Sequence, residues 1–239
     1  WLKVAGGRGH AVREFDAGFL KRLVESPHAL IEENIELPLK ISHSSIVVEA
    51  DVSLAGRLRH VLYKRAGVTN FAKWVTSFFR QSRAEQSWRL GQALRVRGIA
   101  TARPLAIIIP RFRFSPRVSY LVTEWIDGAQ DFHQFAWYLN TLGGGERFNI
   151  CRQVAENLGK LVGRMHEAYV THRDLKGCNI LITRDGDDVQ CYLIDMHGVQ
   201  IRRFLSGGRR VQNLARLALS AETHPWITLT MRLRFLKTY

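Results

Sequence analysis

Cysteine is scarce in this chain. The three residues present, Cys151, Cys178 and Cys191, share no metal-ligand spacing. That excludes a disulfide scaffold or zinc finger and fits reduced thiols in a cytoplasmic protein. Long apolar runs are missing too. The strongest, Leu105–Ile109, is closed by Pro110 and is far shorter than the roughly 20 residues that span a bilayer. The mean hydropathy of −0.13 and hydrophobic content of 46% are those of an ordinary globular chain. No initiator methionine opens the sequence, which starts at Trp1, so the natural N-terminus is expected upstream, and a targeting segment there stays open.

Acidic residues are short in two places. Residues 57–117 hold 14 Lys/Arg against one acid, Glu85, and residues 196–239 hold 8 against one, Glu222. Residues 118–195 reverse the balance, with 7 against 11. The net charge of +14 is therefore concentrated in two basic blocks around an acidic centre. Solvated arginine faces are the bland account. Blocks so nearly of one sign go beyond surface mixing and suggest an anionic partner: lipid headgroups, a phosphorylated glycan or nucleic acid.

What is present centres on residues 171–198. His172-Arg173-Asp174-Leu175 is followed by Lys176 and Asn179, giving H-R-D-L-x-x-x-N. Sixteen residues after Asn179, Asp195 ends an apolar run and opens Asp195-Met196-His197-Gly198. Ile180–Ile182 and Cys191–Ile194 read as short buried strands joined by an acidic turn over Arg184–Asp188. A hairpin of that kind brings Asn179 close to Asp195. With Asp174, an amide oxygen and a carboxylate then form a hard, oxygen-only site suited to Mg²⁺ on a nucleotide. Singly, Asn179 is an N-cap and the acids are loop residues; the ordered pattern outweighs that account.

The pattern is the catalytic-loop signature of protein-kinase-like enzymes, with a degenerate D-F-G at Asp195. The resemblance orders the upstream chain. Residues 13–33 carry apolar side chains at helical spacing and read as a brace. Ile35–Ile41, Ser45–Ser53 and Leu58–Arg65 read as strands. The first turn between them, Ser42-His43-Ser44-Ser45, lacks the glycines of a kinase phosphate loop, leaving Ser44 and Ser45 as candidate phosphate contacts. Lys64 stands where V-A-I-K places its lysine, and strand alternation puts it on the face of Leu62, opposite Arg65. Glu85, in a helix over about Phe79–Arg97, occupies the position of the glutamate that holds that lysine against the α/β-phosphates. Pro104–Phe112 and Val118–Trp125 follow as strands around a basic connection carrying Arg111, Arg113 and Arg117. The second ends at Glu124-Trp125-Ile126, which resembles a hinge whose backbone bonds the adenine edge. Helices are expected over Phe132–Leu139 and Arg147–Ala168, and two more in the 44 residues after Asp195. That tail is too short for a peptide-binding activation segment, and no A-P-E is visible in it.

In sum the sequence resembles the lipopolysaccharide kinase family, bacterial enzymes that phosphorylate heptose or Kdo sugars of the lipid A–core. The carriers are Tyr63-Lys64-Arg65, the Ala84-Glu85 helix running on to Gly98–Ala106, His172–Asn179, Ile194-Asp195-Met196-His197, Asn213–Leu217 and Arg232–Tyr239. The resemblance implies an α+β, two-lobed kinase-like fold: an N-terminal helical extension over 1–34, an antiparallel-sheet lobe over 35–125 and a shortened helical lobe over 126–239. It implies transfer of the γ-phosphoryl of Mg-ATP to a sugar hydroxyl. Asp174 would take or orient the hydroxyl proton and Lys176 would neutralise the phosphoryl. Asn179 and Asp195 would hold Mg²⁺, while Lys64 and Glu85 engage the α/β-phosphates. His172 and Arg173 are expected to orient the loop, and His166 to be a satisfied structural histidine. The implied partners are a lipid-linked or phosphorylated glycan and an anionic membrane, at the inner face of the cytoplasmic membrane. Nucleic acid is not expected, since aromatics for base stacking are absent around the arginine blocks. A compact protein Ser/Thr kinase and an inactive kinase-like binding module are the competing readings.

Overall fold

The computed structural model describes residues 2–4, 6–35, 38–42, 45–67, 82–111, 118–186 and 188–239. The chain forms two compact units, one of Trp1–Gln92 with Arg103–Trp125, the other of Ala93–Ala102 with Ile126–Tyr239.

The first unit is built on an antiparallel sheet. Its strands are β1 (Leu2–Val4), β2 (Gly7–Ala11), β3 (Lys40–Ser42), β4 (Ser45–Leu54), β5 (Arg57–Ala66), β6 (Pro104–Pro110) and β7 (Ser119–Glu124), ordered β1-β2-β6-β7-β5-β4-β3. The β4–β5 hairpin turns at Ala55-Gly56, both at positive φ (50° and 73°), the left-handed pair that a two-residue hairpin needs. Two short helices, α1 (Ala17–Glu25) and α2 (Ala29–Glu33), cover one sheet face. The Asp16 side chain caps α1 through the Phe19 N–H at 2.6 Å. Leu20, Leu23, Val24, Leu30 and Ile31 then bury against Val48, Val61, Tyr63, Ile108 and Val122.

Three expectations are corrected here. The helix expected over 13–33 is broken at Ser26-Pro27-His28, because a proline drives the residue before it out of the helical region. The extension expected to be helical over 1–34 also contains β1 and β2, and β2 pairs with β6 at the sheet edge. Its glycines hid the strand: Gly9 lies so close to Val24 that an added Cβ would sit 2.7 Å from its Cγ2. The strand expected from Ile35 is shorter as well, since Asn34 and Ile35 form a turn before β3.

The other sheet face carries α3 (Arg83–Val96), whose Ala84 and Trp88 pack on Ile107, Leu121 and Ile109. Cross-strand pairing fixes what else lies there. Lys64 is opposite Leu121, which is opposite Ile107, so all three project to the α3 side. Arg65 takes the other face, as alternation required.

In the second unit, β8 (Gln130–Asp131) leads into α4 (Phe132–Asn140) through a complete capping box between Asp131 and Gln134. The long helix α5 (Gly144–Glu167) buries Ile150, Val154, Leu158, Leu161, Val162 and Met165, and β9 (Val170–His172) follows it. A 3₁₀ turn over Gly177–Asn179 opens the hairpin of β10 (Ile180–Asp185) and β11 (Asp188–Leu193), registered Ile180 to Leu193. A second turn, Met196–Gly198, leads to β12 (Val199–Ile201), paired with β9. Helices α6 (Gly207–Glu222) and α7 (Leu229–Thr238) finish the chain. Gly159 and Gly163 let the end of the chain lie directly on α5: a Cβ on Gly159 would be 2.7 Å from the Phe235 carbonyl oxygen. Between α4, α5, α6 and α7 lies an apolar space of about 470 Å³. No helix among the described residues is long and apolar enough to cross a membrane.

Candidate active site

Helix α5 is buried along one face from Ile150 to His166 and strand β9 is buried throughout, so the chain arrives at Arg173 on a fixed track. His172 then ties two distant segments together. Its Nδ1 accepts the backbone N–H of Asp174 (3.2 Å), which leaves the ring proton on Nε2 to donate to the Asp195 carbonyl (2.9 Å). Burial lowers the His172 pKa, so the neutral ring this arrangement needs is the favoured form. Gly198 is the reason the ring fits: a Cβ there would stand 2.4 Å from His172 Cε1. The terminal glycine of Asp-Met-His-Gly is thus a packing requirement.

Beyond His172 the loop presents its charges to solvent. Lys176 Nζ and Asp174 Oδ2 are 2.8 Å apart, each side chain about half exposed (46% and 54%). The Lys176 bond, first among several causes, lowers the Asp174 pKa, and the Asp174 bond likewise raises that of Lys176. Both groups are therefore charged at neutral pH. Buried Asn179 donates through Nδ2 to the Asp174 carbonyl oxygen (2.7 Å) and more loosely to Oδ2 (3.4 Å), which turns its Oδ1 away from that carboxylate. The Ile194 N–H donates to the Asn179 carbonyl (3.0 Å), so the hairpin does bring Asn179 to the end of β11. Asp195 sits in the left-handed region (φ 59°, ψ 74°) and its carboxylate accepts the His197 N–H at 3.3 Å. That backbone costs about 1–2 kcal/mol for a residue with a side chain. The His172 bond to its carbonyl holds it.

Sequence reasoning gave no role to Asn213, yet it supports the whole loop. Only 2% exposed, it donates through Nδ2 to the His172 carbonyl (2.9 Å). Its Oδ1 accepts from Thr171 Oγ1 (2.8 Å), His166 Nε2 (3.1 Å) and the His172 N–H (3.3 Å). The Tyr239 hydroxyl in turn donates to His166 Nδ1 (2.7 Å), which makes His166 the satisfied structural histidine expected of it. The signal was present: Asn213 falls on the buried stripe of α6 with Leu217 and Ser220.

The other expected residues, Ile126 excepted, lie in the first unit. Lys64 and Glu85 share the α3 side of the sheet, and Glu85 has a partner the sequence did not suggest, Arg8 Nη2 at 2.8 Å. Glu85 also closes the start of α3 by accepting the Ser82 N–H at 3.0 Å. Ser45 heads β4, while Ser44 lies outside the described residues, as do Arg113 and Arg117. Glu124 is committed locally: Oε1 accepts the Arg103 N–H (2.6 Å) and its own N–H donates to the Arg103 carbonyl (2.9 Å). Trp125 meets the edge of His60 at 5.2 Å, and Ile126 begins the second unit, its carbonyl accepting the Ala129 N–H.

An antiparallel sheet with a lysine on its helix side, followed by a helical unit carrying H-R-D-L-x-x-x-N and a hairpin-linked D-x-x-G, defines the protein-kinase-like class. Within that class, residues 45–239 match the profile of the lipopolysaccharide kinase (Kdo/WaaP) family, and the chain belongs to that family. It is 32% identical over 162 residues to the lipopolysaccharide core heptose(I) kinase WaaP of Pseudomonas aeruginosa, a match covering 65% of this chain and 59% of the relative. It is 28% identical over 141 residues to the 3-deoxy-D-manno-octulosonic acid kinase of Mannheimia succiniciproducens, covering 58% and 54%. The chain thus spans less than two thirds of the length of these relatives. Among solved structures, WaaP in complex with acyl carrier protein shares the fold, with a TM-score of 0.67, 23% identity, and coverage of 97% of this chain and 88% of that one.

Proposed function

We propose that this protein transfers the γ-phosphoryl group of ATP to a hydroxyl of a sugar in the lipopolysaccharide inner core. The observation that carries the reading is the loop itself: an ionised Asp174 paired with Lys176 and aligned by Asn179. In the reaction the sugar hydroxyl gives its proton to Asp174 as its oxygen bonds to phosphorus, and the bond from phosphorus to the departing ADP oxygen breaks. Lys176 sits beside Asp174 to offset negative charge on the moving phosphoryl. Lys64, with Glu85, would bind the α/β-phosphates, Ser44 and Ser45 would add donors, and backbone groups of Glu124, Trp125 and Ile126 would meet the adenine.

The donor set fits Mg²⁺. Among the described residues no three His, Cys, Asp or Glu side chains group to hold a metal. Asn179 Oδ1 and the Asp195 carboxylate are hard oxygens, and Mg²⁺ is ordinarily bound by one or two protein oxygens plus phosphates and water. Bound there, the ion would neutralise phosphate charge. The acceptor is lipid-linked in this reading, so the protein would work at an anionic membrane, peripherally, from the cytoplasmic side.

Asp174→Asn keeps the shape and removes the proton acceptor. ATP binding should persist while phosphorylation of dephosphorylated inner-core lipopolysaccharide, followed by mass spectrometry, falls by about 10²-fold or more. Near wild-type turnover in that variant would refute the mechanism. Transfer to generic protein substrates but not to the glycolipid would favour a protein kinase.

A further inference from the structure

We propose that Trp137 and Trp226 form a stacking platform for the glycan acceptor, set beside the catalytic loop; this rests on the sugar-kinase reading above. Trp137 lies on α4 and is 58% exposed, among the large apolar side chains that the fold leaves in water. It is not isolated. Its ring meets Trp226 at 5.0 Å between centroids and His224 at 5.8 Å, both edge-on, and His224 meets Trp226 at 5.2 Å. Trp137 is therefore held in place by its ring neighbours while more than half of its surface stays in solvent. A sugar ring presents flat patches of C–H between its hydroxyls, and a rigid half-exposed indole supplies the matching apolar plane with polar groups at its edge.

Two further observations tie the platform to a ligand and to the chemistry. Two polar atoms of the same cluster are buried and have no hydrogen-bond partner among the described residues: His224 Nδ1, in a residue only 2% exposed, and Trp226 Nε1. Such atoms are rare in folded proteins because unmade hydrogen bonds are costly, and here both sit in one aromatic cluster. The cluster also reaches the loop. His133, one helical turn before Trp137, shares a 2.9 Å hydrogen bond with His224, and its Nε2 would stand 2.7 Å from a Cβ on Gly177. Gly177 follows Lys176 directly and its N–H donates to Ser220 Oγ of α6. Trp137 therefore stands about one helical turn, roughly 5 Å along α4, from the residue that touches the loop carrying Asp174. A glycan stacked on Trp137 would present its next ring toward the loop.

The test uses the purified chain with phosphatase-treated, deacylated inner-core oligosaccharide. Trp137→Ala should raise the apparent KM for the oligosaccharide by about three- to tenfold, the range expected for one lost aromatic contact, with the KM for ATP unchanged. Trp137→Phe should recover most of the loss. Without nucleotide, titration with the same oligosaccharide should change tryptophan fluorescence in the wild type and much less in Trp137→Ala. An unchanged acceptor KM in an active Trp137→Ala, or equal rises in both KM values, would overturn the platform. If the wild type transfers no phosphoryl group yet binds the oligosaccharide through Trp137, the platform stands and the kinase reading fails. If neither protein binds it, the platform is wrong whatever the activity.

Discussion

At the scale of single residues, the catalytic loop depends on histidines that stay neutral. Burial is the leading cause that lowers the pKa of His166, His172 and His224 from the ordinary 6.5. A folded-state value below the unfolded one means that, as pH falls below 6.5, the unfolded chain takes up protons the folded chain refuses. Stability contributed by these groups is thus fully present above about pH 6.5 and drains away beneath it. His60 works in the opposite sense, since the hydrogen bonds it donates to Glu49 first and then Asp51 raise its pKa, but all three are exposed and screened by solvent. Thermal melts from pH 8 to pH 5 should show Tm falling below about pH 6.5, and His172→Gln should flatten part of the slope. A melting temperature that rises on acidification would contradict the assignment. The motif at His172–Asn179 was legible because its chemistry is local in sequence. Asn213 had no such motif; a buried amide on an amphipathic helix reads as a polar exception until its partners 41 and 47 residues away are known.

At the scale of elements, long regular segments could be read and short glycine-rich ones could not. The expected Arg147–Ala168 helix is Gly144–Glu167, and the Ile180 and Cys191 strands form the hairpin their turn promised. Strand β2, Gly-Arg-Gly-His-Ala, carries almost no hydrophobic signal, because its glycines make room for α1 and for the backbone of β6. The same close-approach logic governs α5 and α7. Gly159→Ala would push a methyl group against the Phe235 carbonyl, and the fit there is backbone to backbone, with little room to relax. The expected loss is about 1–3 kcal/mol, as for other overpacked sites, measurable as a lower denaturation midpoint. A variant as stable as the parent would mean that α7 does not rest on α5 as described.

At the scale of the whole molecule, charge is the property the sequence disclosed most plainly. The basic tail places Arg202, Arg203 and Arg209 in exposed positions around Phe204, which is 73% exposed, while buried Leu205 pins the segment. An aromatic ring amid arginines suits an anionic bilayer surface, where each cation contributes about 1 kcal/mol. Sedimentation with phosphatidylglycerol vesicles should show binding at low ionic strength that fades as salt shortens the screening length to about 8 Å. Replacing Arg202, Arg203 and Arg209 together with Phe204→Ser should abolish it and leave ATP affinity alone. Binding that ignores salt, or survives those changes, would assign the charges to solubility.

The hydrogen-bonded line from Tyr239 through His166 and Asn213 to His172 also sets an order of events during synthesis. His166 leaves the ribosome 73 residues ahead of its partner Tyr239. At about 5–20 residues per second, that interval is roughly 4–15 seconds. A nascent chain of this protein therefore carries its catalytic loop for several seconds before the last support exists. The loop acquires its finished shape only once Tyr239 has emerged and met His166.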